Sequence, residues 1–405
     1  MKRDIEKIII IGGGGTGAAL AHDLSLRGFS VSLFEKGPLL SGTTGRHHGL
    51  LHSGARYAVN DPEAARECIE ENTILRKIAP DALEQNGGLF VALNDEDMDY
   101  RHLFAEGCEA CNIPIHPIDP DMAMAMEPAL NPEIKYAYAV SDAVMDAWRL
   151  AMHFFATAQA NGAQIHAYSE IKDIHFKSGR VSGIRIFDHQ RLCETDITGD
   201  IVINTAGPWA GKIAKLANAD LPVHPGFGIM VSIKSRIAER VLNRLHKPGE
   251  GDIIVPQRAL SILGTSLWLG EDPDNLDFCE DEIARMFDLC SEMVPAVKDF
   301  PPHAVWGAAR PLINDQDTGS PQEISRTFAC YDHGERDNME GLVSVIGGKA
   351  TTLRAMAEKT ADFICKMVGR DIPCETKTRK LHHYRQFFQR SQQARVKNEA
   401  RKSHL

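Results

Sequence analysis

The chain has 405 residues, of which 43% are hydrophobic and 25% are charged, a composition typical of soluble globular proteins. Its 45 Lys and Arg residues against 55 Asp and Glu give a formal net charge of −10, which argues against a protein that binds nucleic acid through a broadly basic surface. At about 100–200 residues per domain, this length predicts two or three domains. No apolar run reaches the roughly 18–20 residues of a transmembrane helix. The nine scattered cysteines indicate reduced thiols, so we expect a cytoplasmic protein.

The N-terminal segment has the pattern of a βαβ unit. The β-branched run Ile8–Ile11 is followed by the spacing Gly12-x-Gly14-x-x-Gly17, by a helical pattern over 18–27 and by a second strand over 30–34. The apolar run is too short for a signal peptide and is typical of a buried strand. Glycine at these three positions permits a tight turn, a close approach of backbone N–H groups to a pyrophosphate, and close packing of helix against sheet. The segment therefore predicts a dinucleotide site.

Other polar segments favour FAD over NAD, since both cofactors share this glycine pattern. Glu35 lies at the tip of the second strand, where a carboxylate accepts hydrogen bonds from a ribose diol. A following loop with Thr43, Thr44 and Arg46 offers hydroxyls and a guanidinium where a flavin nucleotide would continue, with a solvated polar loop as the alternative. The turn Gly347–Lys349 precedes a helix whose positive N-terminus would stabilise negative charge on a reduced flavin. We therefore expect FAD.

Later parts of the chain return to this architecture after two interruptions, for example with a buried strand predicted over 201–204. The intervening blocks have short alternating strands, predicted over 89–93, 229–233 and 261–269, and Pro-rich turns, which are typical of an antiparallel sheet. We predict an α/β fold with a Rossmann-like, discontinuous FAD-binding domain and an inserted α+β substrate domain that contains an antiparallel sheet. The predicted boundaries are 1–84, 146–220 and 331–372 for the FAD-binding domain, 85–145 and 221–330 for the substrate domain, and 373–405 for a basic C-terminal tail.

The C-terminal tail carries a strong positive charge. From Lys377 to Leu405, nine Lys and Arg residues stand against one acid, Glu399. With Tyr384, Phe387 and Phe388 near its start, the tail is typical of an amphipathic helix that contacts anionic lipid or a partner subunit. A frayed, solvated end is an equal alternative.

A third polar segment contains His47, His48, His52, Arg56 and Tyr57 within eleven residues. No Cys or carboxylate joins the histidines at metal-ligand spacing, so we expect no metal site. The Arg-Tyr pair suits an anionic substrate, because a guanidinium binds phosphate or carboxylate in a bidentate geometry. A surface ion pair of Arg56 is the alternative.

Several short motifs give the chain a specific resemblance. They are Gly12–Gly17, Thr44-Gly45-Arg46-x-His48-Gly49-Leu50-Leu51-His52-Ser53-Gly54-Ala55-Arg56-Tyr57, Asn204-x-Ala206-Gly207-x-Trp209, Ala309-Arg310-Pro311-Leu312, Ser325-Arg326 and Gly347-Gly348-Lys349-x-Thr351-Thr352. Over about residues 7–372 the sequence resembles the FAD-dependent glycerol-3-phosphate dehydrogenases of the D-amino-acid-oxidase-like superfamily. Within that family it is most similar to the catalytic A subunits of the anaerobic, quinone-linked enzymes.

The resemblance implies a role for each matching position. His52 is the first choice for the base that takes the hydroxyl proton, Lys349 beside the flavin is the second, and Arg310 completes the predicted catalytic set. The implied substrate-binding residues are Arg56, Tyr57, Arg310 and Arg326. Several cations around one small site suit a phosphate dianion, with a sulfonate, phosphonate or dicarboxylate as alternatives. The implied cofactor contacts are Gly12, Gly14, Gly17, Glu35, Thr43, Thr44, Arg46, His48, Gly49, Ala206, Gly207, Gly348, Lys349 and Thr351.

The sequence also departs from the family pattern in three places. Pro225–Gly228 has Phe227 where a lysine is usual, and Ala350 and Leu353 stand where a larger residue and a tyrosine are common. We expect these changes to lie where substrate shape is read. The similar A subunits continue into a cysteine-rich region with an iron–sulfur site, whereas here only the basic tail follows Cys374. We therefore expect no such electron exit within this chain.

These observations predict an FAD-dependent dehydrogenase that oxidises the secondary alcohol of a small anionic substrate, with glycerol 3-phosphate or a related polyol phosphate first. An oxidase or dehydrogenase of a 2-hydroxy acid or amine is the second hypothesis, and a non-catalytic flavin-binding subunit is the third. The electron acceptor is a quinone, a partner subunit or oxygen. The basic tail suggests peripheral contact with the inner face of the membrane.

Overall fold

The computed structural model describes residues 6–249, 251–276, 278–313 and 328–392. The predicted substrate residue Arg326 lies outside the described residues. The strands are β1 (Lys7–Ile11), β2 (Ser30–Phe34), β3 (Leu50–Leu51), β4 (Leu83–Glu84), β5 (Gly88–Ala92), β6 (Ile115–Ile118), β7 (Tyr136–Val140), β8 (Ala143–Met145), β9 (Gln164–His166), β10 (Ser169–Lys177), β11 (Arg180–Asp188), β12 (Cys193–Thr198), β13 (Ile201–Asn204), β14 (Val223–Ile233), β15 (Val241–Arg244), β16 (Ile253–Gln257), β17 (Leu260–Gly264), β18 (Trp268–Leu269), β19 (Pro302–Ile313), β20 (Phe328–Asp332) and β21 (Leu342–Gly347). The α-helices are α1 (Gly15–Leu26), α2 (Pro62–Ile78), α3 (Asp95–Ala110), α4 (Pro120–Met126), α5 (Ala147–Ala160), α6 (Ala210–Leu216), α7 (Glu280–Met293), α8 (His333–Asp337) and α9 (Leu353–Met367).

A six-stranded sheet combines strands from distant parts of the chain, in the order β20-β21-β13-β1-β2-β9. Its pairings are parallel except that β20 runs antiparallel to β21. Central strand β1 is buried on both faces. Ile8 and Ile10 pack into the core formed with α1, α5 and α9, whereas Ile9 and Ile11 pack towards β10 and β11. Burial on both faces explains why the run is continuously β-branched rather than alternating with polar residues.

A larger mixed sheet contains β18-β14-β17-β16-β15-β5-β7-β6, with β19 also paired to β14. Its pairings are antiparallel except for β15 with β5. All its strands come from the two blocks predicted for the substrate domain, and together the two sheets confirm the predicted fold class. The exact domain boundaries stay a prediction, and β8, at the edge of one block, pairs with β3 and β4 instead.

Three predicted elements have different bounds. Helix α1 begins at Gly15 rather than residue 18, because the glycine run itself forms its first turn. Strand β14 extends over eleven residues, since it pairs with β19 along its whole length. The strand predicted over 261–269 is divided between β17 and β18.

The start of the basic tail packs against α5. The ring centroid of Trp148 lies 5.9 Å from that of Tyr384 and 6.2 Å from that of Phe388, and Phe155 lies 6.2 Å from Phe387. The side chain of Arg390 donates a hydrogen bond to the carbonyl of Ala156 at 2.8 Å. The described part of the tail, helical over 385–392, is therefore not the frayed end weighed above. Among the described residues, no helix has both the length and the apolar composition needed to cross a membrane.

Candidate active site

A cavity of about 1540 Å³ lies at the carboxyl ends of the parallel strands, where ligands bind in open α/β sheets. Residues following β1, β2, β13 and β21 form one side of it, and residues of β19 and the β17–β18 connection contribute to the other. The structure places most predicted site residues in its lining: Gly12, Gly14, Glu35, Thr43, Thr44, Arg46, His48, His52, Arg56, Tyr57, Ala206, Gly207, Arg310, Gly348, Lys349 and Thr351. Their individual roles stay predictions.

Two predicted cofactor contacts, Gly17 and Gly49, are not part of the cavity lining. A Cβ atom on Gly17 would lie 2.1 Å from the carbonyl oxygen of Gly12, so this glycine lets α1 pack against β1. Gly49 has φ +83°, and its Cβ would lie 2.8 Å from the carbonyl oxygen of Met145. For both, the structure supports a packing reason for glycine.

The glycine-rich turn after β1 is built to approach a bound group closely. Gly12 has φ +111°, and a Cβ there would lie 2.6 Å from the carbonyl oxygen of Thr205. The amide of Gly13 donates to Glu35 at 2.8 Å, and the amide of Gly15 donates to the Thr44 hydroxyl at 2.9 Å. The first turn of α1 contains no acidic residue of its own, so the exposed amides at this helix end can face an anion in the cavity, with Glu35 as the neighbouring carboxylate. This cradle fits the pyrophosphate of a dinucleotide.

The polar loop after β2 is fixed from two sides. The Thr43 hydroxyl donates to the carbonyl of Ala309 at 2.5 Å, and the Trp306 indole donates to the carbonyl of Arg46 at 2.8 Å. These bonds attach the loop to β19 of the mixed sheet. The loop is therefore anchored at Thr43 and Arg46, although Ser41, Gly45 and the side chain of Arg46 stay exposed, and its role as a cofactor contact stays a prediction.

Two of the three clustered histidines support the backbone. Nδ1 of His47 accepts from the amide of Gly49, and Nδ1 of His48 accepts from the amide of Leu50, each at 3.0 Å. Burial lowers the pKa of His47 to about 4 and holds the pKa of His48 well below its usual range, so both rings are neutral at physiological pH.

His52 and Tyr57 meet Lys349, which comes from the other end of the chain. Nε2 of His52 lies 3.4 Å from the Tyr57 hydroxyl, and Nζ of Lys349 lies 4.8 Å from the centroid of the Tyr57 ring. The backbone amide of His52 donates to the Thr351 hydroxyl at 3.2 Å. The structure thus brings the first and second choices for the base to the same part of the cavity.

Arg56 forms an ion pair that the sequence did not reveal. Its Nη2 donates to Asp252 at 2.6 Å and to the carbonyl of Gly249 at 2.8 Å, while Asn243 lies 3.5 Å from Nη1. The other Asp252 oxygen lies 2.6 Å from Nε2 of His246. Burial opposes ionisation of Asp252, but Arg56 and His246 outweigh it and hold the pKa of this carboxyl well below its usual range. The ion-pair alternative for Arg56 is therefore observed, in a buried rather than a surface setting.

Arg310 lies on β19 and bonds to neutral oxygens. Its guanidinium donates to the Thr265 hydroxyl at 3.0 Å and to the carbonyls of Ser266 and Phe227 at 3.3 Å. The Phe227 ring is buried, with its centroid 5.9 Å from that of Trp268, and Phe227 is not part of the cavity lining. The expectation that Phe227 reads substrate shape is therefore wrong, because its buried ring packs against Trp268 and not at the cavity lining.

Ala350 and Leu353, the other two substituted positions, do face the cavity, since both contribute to its lining.

Behind the histidine segment lies a further group of residues that the sequence did not reveal. The buried carboxylate of Asp142 accepts from the amide of Ser53 at 2.7 Å, and Asn72 donates to the carbonyl of His52 at 3.1 Å. Burial raises the pKa of Asp142. No local signal marks these contacts, because each joins elements far apart in sequence.

Comparisons with known proteins agree with this geometry. The family described as FAD dependent oxidoreductase (DAO) matches residues 7–354. Anaerobic glycerol-3-phosphate dehydrogenase subunit A1 of Haloferax volcanii is 40% identical over 383 residues, which cover 91% of this chain. The chain spans 65% of that relative's length, slightly less than two thirds.

Two solved structures show the same fold. The FAD complex of glycerol-3-phosphate dehydrogenase from Bacillus halodurans has a TM-score of 0.73 at 21% identity, covering 94% of this chain and 68% of that one. Reduced L-alpha-glycerophosphate oxidase from Mycoplasma pneumoniae, with FAD bound, has a TM-score of 0.75 at 18% identity, covering 94% and 99%. The chain belongs to the DAO family of FAD-dependent oxidoreductases, as its resemblance predicted.

Proposed function

We propose that the chain oxidises the secondary alcohol of glycerol 3-phosphate, or of a related polyol phosphate, to the ketone. The observation that carries this proposal is the convergence of His52, Tyr57, Lys349, Arg56 and Arg310 on one cavity that begins at the glycine-rich turn. Cations beside a base suit an alcohol that also carries an anionic group. The printed name of the Haloferax volcanii relative supports the same substrate.

In this proposal the chain's own residues bind the anion and move one proton. Arg310 and Arg56, which both line the cavity, bind the phosphate. His52 takes the hydroxyl proton, and Tyr57, whose hydroxyl lies 3.4 Å from Nε2, orients its ring. FAD, once bound at the glycine-rich turn, would supply a hydride acceptor at N5. Lys349 is the alternative base, since it also lies beside Tyr57.

We further propose the domain division given in the sequence analysis. We also propose that Arg326 is an additional contact for the anion, and that a partner accepts the electrons. Support for a partner comes from the relative's designation as a subunit. The aromatic and basic surface around Trp148 and Phe388, both more than a third exposed, supports peripheral membrane contact at the inner face. A quinone or the partner subunit then receives the electrons.

Anaerobic reduction of the flavin tests this function. Holoenzyme mixed with sn-glycerol 3-phosphate is expected to lose its oxidised-flavin absorbance, whereas uncharged glycerol leaves the spectrum unchanged. A flavin that stays oxidised with every polyol phosphate but is bleached by a 2-hydroxy acid or an amine overturns the substrate assignment. Rapid hydrogen peroxide release in air would favour the oxidase hypothesis. FAD that no small alcohol, acid or amine reduces would favour a non-catalytic subunit.

A further inference from the structure

Three side chains, His246, Asp252 and Arg56, form a linked series that ends at the cavity, with Asp252 and Arg56 buried and His246 partly exposed. We propose that Asp252 and His246 are positioning residues that hold the Arg56 guanidinium against the substrate and thereby set the affinity for its anionic group. This inference rests on the proposed function, in which Arg56 contacts the phosphate. It assigns a role to two residues that lie outside the predicted site.

Both hydrogen bonds that link these three side chains are short. One Asp252 oxygen lies 2.6 Å from Nη2 of Arg56, and the other lies 2.6 Å from Nε2 of His246. The side chains of Asp252 and Arg56 are 2% and 9% exposed, so their attraction is weakly screened by solvent. A carboxylate with both oxygens engaged in this way has one orientation available, and it imposes that orientation on the guanidinium.

The backbone around Asp252 gives the arginine a second attachment. The connection between β15 and β16 carries His246 and Asp252, and its residues Lys247, Pro248 and Gly249 line the cavity. The carbonyl of Gly249 also accepts from Nη2 of Arg56, at 2.8 Å. The guanidinium, whose backbone belongs to the 3₁₀ helix Ala55–Tyr57, is therefore bonded at two points to the β15–β16 connection.

Arg56 still has donors for a ligand after these bonds. A guanidinium side chain has about five N–H donors. Asp252 and Gly249 use the two on Nη2, and Asn243 receives one from Nη1, which leaves two. Because the side chain is already ordered, binding an anion does not have to immobilise it, and this lowers the entropic cost of binding.

Asp252→Asn separates positioning from simple charge compensation. If Asp252 only neutralised Arg56, removing its charge would leave the cavity more positive and tighten anion binding. If it positions Arg56, the same change weakens binding, and we expect about a tenfold or larger increase in dissociation constant. The probe is inorganic phosphate, titrated calorimetrically into oxidised holoenzyme. The parallel measurement is the apparent dissociation constant of sn-glycerol 3-phosphate in anaerobic flavin reduction.

The split between binding and rate distinguishes a positioning role from general damage. We expect the limiting rate of flavin reduction to change less than about threefold, since Asp252 does not touch the reacting atoms. Asp97→Asn is the matched control: it also removes the charge of a buried aspartate paired with an arginine, Arg244, but outside the cavity lining. It should leave the phosphate dissociation constant unchanged.

The histidine provides an independent pair of variants if Asp252→Asn does not fold. His246→Gln retains an N–H donor for Asp252, so its dissociation constant for phosphate should stay within about twofold of the wild-type value. His246→Ala has no such donor, and its dissociation constant should rise by about threefold or more. Unchanged binding in His246→Ala, or tighter binding in Asp252→Asn, overturns the inference.

The two proposals fail in distinguishable ways. If the wild-type flavin is not reduced by sn-glycerol 3-phosphate, the proposed function fails. The phosphate titration then still tests whether Asp252 and His246 position Arg56. If wild type is reduced but the Asp252 and His246 variants bind phosphate normally, only the positioning role fails. Wild type that binds no phosphate at all overturns the positioning role as well, because Arg56 then holds no anion.

Discussion

The two sides of the cavity are built by different means. The cofactor side consists mainly of backbone: glycines at strand ends, the first turn of α1, and one carboxylate, Glu35, oriented by the amides of Gly13 and Gly37. The substrate side consists of long side chains from distant elements, with Arg56 held by a residue 196 positions away. The first depends on local geometry and the second on long-range pairing. They should therefore respond differently to substitution.

The largest effect is expected on the cofactor side. Gly12→Ala places a Cβ at φ +111° and 2.6 Å from the carbonyl oxygen of Thr205, so the turn must move away from the pyrophosphate position. We expect purified Gly12→Ala to contain almost no FAD, as measured by the ratio of flavin to protein absorbance. Gly37→Ala is the matched control, because its Cβ would meet neighbours only at 3.6 Å and beyond. Full FAD content in Gly12→Ala would contradict the close-approach role.

On the substrate side, the largest loss should follow from His52→Gln. Glutamine retains a polar contact with Tyr57 but cannot act as the base, so the rate of anaerobic flavin reduction should fall by about 100-fold or more. FAD content should stay at the wild-type value. His175→Gln on β10, outside the cavity lining, serves as the control. A loss of less than about fivefold would move the role of base to Lys349.

The buried ion pair gives the substrate side a pH signature. Because the folded-state pKa of Asp252 lies below its unfolded value, its contribution to stability is fully present above the unfolded pKa and is lost as pH falls through the folded one. Asp252→Asn should therefore cost about 3 kcal/mol of unfolding free energy at pH 7, and less as pH falls below about 4. Urea unfolding of both proteins at about pH 7, 4 and 3 measures this difference. A gap that widens on acidification would contradict the assignment.

The smallest effect is expected where a side chain assists the backbone on the cofactor side. Thr44→Val removes the acceptor for the amide of Gly15, and one such bond contributes about 1 kcal/mol. We expect FAD to bind the apoprotein about fivefold more weakly, measured by flavin fluorescence. Thr73→Val, on α2 outside the cavity lining, is the control. A loss approaching that of Gly12→Ala would mean that side chains dominate both sides.

The same contrast explains what the sequence could predict. The glycine spacing and Glu35 lie within one βαβ unit, so their arrangement follows from local chain geometry, and the predicted bounds of β2 and β13 are confirmed. The partnership of Arg56 with Asp252 follows only from how β15 and β16 are placed, which no local pattern encodes. Phe227 was assigned to the cavity because its neighbours in sequence match the family, but its strand turns the ring towards Trp268.

The packing of the C-terminal tail could not be predicted from the sequence either, since aromatic residues near a basic terminus suit a membrane, a partner or the chain's own surface. The contacts of Phe387 with Phe155 and of Arg390 with Ala156 place this side of the described tail on the chain's own α5, while Trp148 and Phe388 stay more than a third exposed and carry the proposed membrane contact. Composition alone does not distinguish these three surfaces, because each offers apolar area beside anionic or carbonyl oxygen.

The order of strands in the six-stranded sheet has a consequence for folding. Strand β1 is made first, yet one of its neighbours, β13, begins at Ile201, and the next strand along, β21, begins at Leu342. During synthesis the second edge of the apolar run Ile8–Ile11 therefore stays uncovered until β13, about halfway along the chain, has been made. Sheets with such distant pairings fold slowly and expose aggregation-prone strands meanwhile. We expect refolding yield to depend more on chain concentration and chaperones than on the stability of the finished fold.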